Sequence, residues 1–226
     1  MKYLSIILIL SFVFPSYYQV GDTVSLDHQN IPLTICSGQA TDSTIYLSDS
    51  IGKVIVLGID ATWWPTTGCS MGLETIAQNY NTDNRISIMQ NLDGINQPYS
   101  CDMWAVFGGI ESYNLIDDGD DYIIHNLFSV SGNWHAVAII DQNMEYRYFS
   151  DTPNAETMID IIEVILSETD WLIGDLNLDQ NTDILDVISL VNNIIEGNYN
   201  YLADINDDNV ANVQDIILLI QIILES

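Results

Sequence analysis

The sequence predicts an α/β domain, a sheet with flanking helices, followed by a small all-α module. Three observations carry that reading. Between about residues 20 and 170, apolar strand-like runs alternate with helical patterns, the rhythm of a sheet covered by helices. From about residue 173 onward, one acidic stretch occurs twice, each copy followed by apolar residues at helical spacing. Ahead of both, "MKYLSIILILSFVF" places a single Lys before an apolar run from Tyr3 to Phe14.

That N-terminal run is shorter than the ~20 residues a membrane-spanning helix needs, and it suits the core of an export signal. The expected division is a signal peptide over 1–16, a sheet domain over 17–170 and a C-terminal module over 173–226. Export places the mature chain in the periplasm, at the cell surface or in the medium. Within the sheet domain, "KVIVLGI" (Lys53 to Ile59) reads as a buried strand, Cys69 to Tyr80 as a helix, and Arg85 to Gln90 as a second strand. A helix or loop follows around "PYSCDMWAVFGGI", then two strands in "HAVAIID" and "EYRYFS", and a closing helix in "AETMIDIIEVILSE".

Charge narrows the function classes. With 32 Asp and Glu against 4 Lys and Arg, the formal charge is -28. Nucleic acid and anionic membrane surfaces require basic patches, so both are excluded as partners and cations are favoured. A chain that is 48% hydrophobic and 10% aromatic can build a core, so this is not a disordered acidic tail.

The repeat gives the acidity a chemical sense. "DLNLDQNTDILD" spans Asp175 to Asp186 and "DINDDNVANVQD" spans Asp204 to Asp215, an offset of 204 minus 175, or 29 residues. Oxygen-bearing side chains stand at positions 1, 3, 5, 9 and 12 of each: Asp175, Asn177, Asp179, Asp183 and Asp186, then Asp204, Asn206, Asp208, Asn212 and Asp215. These are the side-chain positions of a 12-residue Ca2+ loop, in which position 7 contributes a backbone carbonyl, here from Asn181 and Val210. Two Ca2+ ions are therefore expected, each neutralising carboxylates that would otherwise repel one another. Ile184, Val187, Ile188, Val191, Ile194 and Ile195 recur as Val213, Ile216, Ile217, Ile220, Ile223 and Leu224, two apolar stripes able to bury against each other. Helix capping alone needs one Asp or Asn per helix and leaves the duplication of five positions unexplained.

This pattern resembles the dockerin family, paired loop-helix Ca2+ segments that dock onto cohesin modules. The resemblance covers about residues 173 to 226 and implies metal-dependent folding and a cohesin-like partner. Position 6, usually Gly, is Gln180 and Asn209; positions 10 and 11 are Ile184 and Leu185, then Val213 and Gln214, so partner specificity does not carry over.

"GKVIVL", "ATW" and "IIDQNMEYRY" in turn resemble the exported, redoxin-type branch of the thioredoxin superfamily, across about residues 20 to 168. The resemblance implies a thioredoxin-like sheet. Its dithiol motif is degenerate: the two CxxC positions fall on Trp64 and Thr67, and the cis-proline position falls on His135. A Trp forms no thiolate and a Thr hydroxyl resolves no mixed disulfide. The cysteines are Cys36, Cys69 and Cys101, which permit one internal bridge and leave one thiol. The alternative reading is a thiol-disulfide oxidoreductase or peroxidase using Cys69, with Cys101 or Cys36 as resolving partner. "TTGCS" shares Thr66 and Cys69 with a peroxiredoxin nucleophile loop, but Thr62 stands where that loop has proline. A helix beginning at Trp64 turns Cys69 away from the motif's face by ~140°; one beginning near Gly68 puts it at a helix N-terminus.

Other candidates are weaker. His28, His125 and His135 lack metal-ligand spacing. Trp63, Trp64, Trp104 and Trp134 read as core or pocket lining, and "IDDGDD" (116–121) as an acidic surface turn, with a further cation site as the alternative. A third account of the tail, acidity as a high-salt adaptation, predicts indifference to chelators.

Overall fold

The structure is a computed structural model that describes residues 17–38, 44–63, 68–168, 174–177, 181–196, 201–206, 208 and 210–225, with backbone alone at 68–71, 196 and 201. The expected signal peptide over 1–16, and Trp64, Thr66, Thr67, Asp179, Gln180 and Asn209, lie outside the described residues.

Among the described residues, seven strands form one mixed sheet: β1 Leu33–Ser37, β2 Thr44–Ile45, β3 Val54–Ala61, β4 Ile86–Asp93, β5 Asn114–Asp117, β6 Ala136–Ile140 and β7 Tyr146–Ser150. Their spatial order is β2-β1-β5-β4-β3-β6-β7. The centre is parallel, with β3 running from Val54↔Ile86 to Ala61↔Asp93 along β4, and β5 parallel beyond it. Antiparallel strands flank both sides.

β3 is buried at every residue, which explains its unbroken apolar sequence. Its side chains divide by parity between two layers. Val54 and Val56 join Leu73 and Ile76 of α2 (Gly68–Asn79), Trp104 of α3 (Cys101–Gly108), and Met158 and Ile162 of α5 (Ala155–Glu168). Ile55, Leu57 and Ile59 face the opposite layer, with Ile124 and Phe128 of α4 (Ile123–Phe128) and Val24 just ahead of α1 (Leu26–Gln29). Gly58 has no side chain because α2 presses onto β3 there: a Cβ would sit 2.9 Å from Gln90 Cγ and collide with Leu73.

The described strands and helices match the expectations from "KVIVLGI" to "AETMIDIIEVILSE". β1, β2, β5 and α4 were not anticipated. β2 and β5 have only two and four residues, too few to show a period. Cys36 of β1 bonds Cys101, the first residue of α3, across 65 residues of chain. In the chain-entropy treatment a loop of that size stabilises by about 4 kcal/mol.

The C-terminal segment contains α6 (Ile184–Glu196), a turn at Tyr201–Ala203 and α7 (Val213–Glu225). Its core is Leu176, Val187, Leu190, Leu202, Ala203 and Leu219, with Ile194, Ile205, Ile216 and Ile223 against it. This corrects the expected stripe. Leu190 and Leu219, outside that stripe, are fully buried, whereas Ile184, Ile188 and Ile195 and their counterparts Val213, Ile217 and Leu224 are exposed. The buried face is rotated because Asp186 and Asp215 also turn inward. Leu202 lies against Gly52, beside the start of β3. No helix among the described residues is long and apolar enough to cross a membrane.

Candidate functional site

The C-terminal ends of β3, β4 and β5 lie side by side, and the chain leaving each one carries polar and aromatic groups. After β3, Thr62 donates its hydroxyl to the Gly94 carbonyl and Trp63 lies over Gly94. Only glycine fits there, since a Cβ would enter the Trp63 ring and the backbone is left-handed, with φ 62°. Trp63 meets Trp134 edge-on at 5.2 Å between ring centroids and Tyr122 at 6.1 Å. His125 stacks flat on Trp134 at 4.1 Å. Trp104, by contrast, is a core residue.

Two acids lie under this aromatic cap. Asp93 is fully buried; its Oδ2 accepts the Trp134 indole N–H at 2.6 Å and its Oδ1 accepts Asn91 Nδ2 at 2.8 Å. Asp118 Oδ2 accepts the Ile124 N–H at 2.6 Å, which caps α4, while its Oδ1 is buried without a hydrogen-bond partner among the described residues. Burial, then the charge of Asp118, pushes the Asp93 carboxyl up to about 7. Burial likewise raises Asp118.

A second polar group occupies the other face. Asp60, with no solvent exposure, accepts from Gln90 Nε2 at 3.4 Å and from the Ala61 N–H at 3.0 Å, and faces His135 Nδ1 at 3.4 Å. Tyr113 donates to Gln90 Oε1 at 2.9 Å, extending the chain of bonds. Burial raises Asp60 against the pull of His135, and the bond to Asp60 raises His135. His135 has φ 114° and donates its backbone N–H to the Ile59 carbonyl at 3.0 Å, a bond that proline cannot make.

The structure forms the one internal bridge that three cysteines permit. Cys101 is bonded to Cys36, so it is not a free thiol awaiting Cys69, and the bridge hangs on β1, with β5 and β4 between it and β3. The two cysteines offered as resolving partners for Cys69 are thus bonded to each other. α2 is described from Gly68 onward; residues 64–67, where the two expected helix starts differ, and the Cys69 side chain lie outside the described residues.

In the tail, the two acidic stretches make the same bonds at the same offset. Asp186 Oδ1 accepts from the Leu176 and Asn177 N–H groups at 2.9 and 3.2 Å, and its Oδ2 from Asp183 at 2.8 Å. Asp215 Oδ1 accepts from Ile205 and Asn206 at 2.9 and 3.2 Å, and its Oδ2 from Asn212 at 2.8 Å. Asp183 and Asn212 accept in turn from the N–H groups of Leu185 and Gln214, so each helix has an N-cap whose own N–H is held by the position-12 carboxylate. Positions 9 and 12 thus cap and close each loop. Asp175 and Asp204, at position 1, are also buried, and no Lys, Arg or His follows Arg147 in the sequence. Among the described residues, no three acidic, His or Cys side chains converge as a metal site. In the second stretch the Asp208 N–H bonds both Asp204 and Asn206 at 3.0 Å, and Asn212 Nδ2 donates to the Val210 carbonyl at 3.0 Å. The donors are nonetheless hard oxygens throughout, the set Ca2+ prefers.

The architecture agrees with solved structures. A putative protein disulfide isomerase from Bacteroides thetaiotaomicron superposes with a TM-score of 0.53 at 15% identity, over 66% of this chain and 89% of that one. The fold is thioredoxin-like. PrxQ from Xylella fastidiosa gives 0.51 at 13% identity, covering 68% of this chain and 99% of its own, and MTB DsbF gives 0.50 at 14%, covering 63% and 99%. No family model and no curated protein matches the sequence. The thioredoxin-like sheet therefore rests on geometry, and the dockerin resemblance of the tail on its own residues.

Proposed function

We propose that this chain is an exported attachment protein. Its thioredoxin-like domain lacks the usual dithiol, and its tail is a dockerin-like module that folds fully with two Ca2+ ions and docks onto a cohesin-type partner. One observation carries the reading: the two stretches repeat position for position, in bonds around Asp186 and Asp215 and in surface. Ile184 and Val213 are both 62% exposed, Ile188 and Ile217 both 54%, and Ile195 and Leu224 76% and 79%. Two equivalent apolar faces outside the tail's own core are suited to a protein partner. Asp175, Asn177, Asp179, Asn181, Asp183 and Asp186 hold the first ion, and Asp204, Asn206, Asp208, Val210, Asn212 and Asp215 the second. Calorimetric titration of the mature chain with Ca2+ should show two binding events, each removed by the matching Asp186→Ala or Asp215→Ala change. No heat of uptake, together with a helical signal indifferent to EGTA, would refute the proposal.

A second reading rests on Cys69 lying in α2. A thiol in the first turn of a helix is stabilised as thiolate by the helix dipole, so a helix starting near Gly68 suits Cys69 for attack on a disulfide or peroxide. Turnover of insulin disulfide or hydrogen peroxide that disappears in Cys69→Ser would establish it. Absence of turnover in both proteins leaves the attachment role alone.

A further inference from the structure

We propose that the Asp93–Asp118 carboxyl pair is a proton-binding site whose occupancy positions Trp134 and the start of α4, so that this end of the thioredoxin-like sheet responds to pH. The pair is assembled by the fold: Asp93 ends β4, and Asp118 follows β5, the strand parallel to β4. Asn91 donates to Asp93, and Asp118 Oδ1 is buried with no hydrogen-bond partner among the described residues. Two carboxylates side by side in a buried setting favour one shared proton over two negative charges.

Among the described residues, the surroundings supply no compensating cationic side chain. Asp117, from β5, adds negative charge. His125, from α4, is turned flat against Trp134, and neither of its ring nitrogens has a hydrogen-bond partner among the described residues. His135, ahead of β6, faces Asp60 on the opposite side of the sheet. Tyr122 contributes an edge to the two tryptophans and no ion pair among the described residues. A proton is therefore the positive species that these groups accommodate.

Its loss has a mechanical consequence. Asp93 holds the Trp134 indole N–H and Asp118 holds the N–H of Ile124, in the first turn of α4. Repulsion between two ionised carboxylates separates those anchors. Asp118 is half-buried on the turn before α4, whereas Asp93 is fixed in the sheet, so the turn yields first.

The test uses the full mature chain, following the Trp134 indole N–H by NMR, assigned with Trp134→Phe. Expected is one transition well above the ordinary carboxylate range, between about pH 5 and 8, absent in Asp93→Asn and moved to lower pH in Asp118→Asn, where the like-charged neighbour is gone. It should persist in His125→Gln, which separates a carboxyl from an imidazole origin. A wild-type signal flat across that range, a transition unchanged in Asp118→Asn, or one abolished by His125→Gln would overturn the proposal. Should Asp93→Asn not fold, the opposing outcomes for Asp118→Asn and His125→Gln decide alone.

Discussion

The thioredoxin-like sheet and the C-terminal tail both bury carboxylates, and they satisfy them by opposite means. Asp186 and Asp215 each take three backbone N–H groups from their own stretch of chain, so the donors arrive with the acid in one local segment. Asp93 draws its donors from Asn91 and from Trp134, 41 residues away, and has a second acid as neighbour. Amides of one segment fix a lone carboxylate in place; assembly across strands brings two acids together, and a proton resolves the conflict. The tail acids organise a loop, while the sheet acids respond to solution conditions.

The contrast can be broken at four places. Removing a tail acid should cost most, because Asp186→Ala or Asp215→Ala strands three amides at about 1–3 kcal/mol each. Circular dichroism with Ca2+ present should then show loss of helical signal from the tail while the sheet domain persists. If both variants retain full helicity, the amides are not what closes the loops. Next come Leu190→Ala and Leu219→Ala, which empty the tail's core at about 2–5 kcal/mol apiece; denaturant melts should show similar losses for the two, in keeping with the pseudo-symmetry.

Asp93→Asn has a smaller effect whose sign changes its meaning. The folded carboxyl is raised from an ordinary 3.8 to about 7, so stability from its protonation is fully present below about pH 4 and is lost as pH rises through 7. Asn, permanently neutral and still an acceptor for Trp134, should match the wild type near pH 4 and melt higher at pH 8. Equal destabilisation at both pH values would make Asp93 an ordinary structural acceptor. Smallest in stability are Ile188→Ser and Ile217→Ser, surface changes expected within about 0.5 kcal/mol. Both should weaken partner capture measured by surface plasmon resonance, and unaltered capture would move the docking face elsewhere.

Much of the fold was legible because its signals are local. "KVIVLGI" is apolar throughout as a strand buried on both faces must be, and the closing helix at Ala155–Glu168 carries a 3.6-residue period. The duplicated tail was legible as a repeat for the same reason, whereas the capping bonds at positions 9 and 12, read as metal ligands, came from the structure. Its core was partly misread, since an apolar stripe can lie on either side of a helix, and the inward turn of Asp186 selected Leu190 over Ile188.

What the amino-acid sequence determined alone was the order of the longer strand and helix segments, the repeat at its 29-residue offset (204 minus 175), and the absence of cysteine at positions 64 and 67. Only tertiary structure decided that Cys36 bonds Cys101, that His135 meets Asp60, and that Asp93 stands beside Asp118 under Trp134. The reason is physical: periodicity and capping act within a few residues along the chain, whereas contact between distant groups depends on strand order, and β5 lies between β1 and β4 for reasons no single segment encodes.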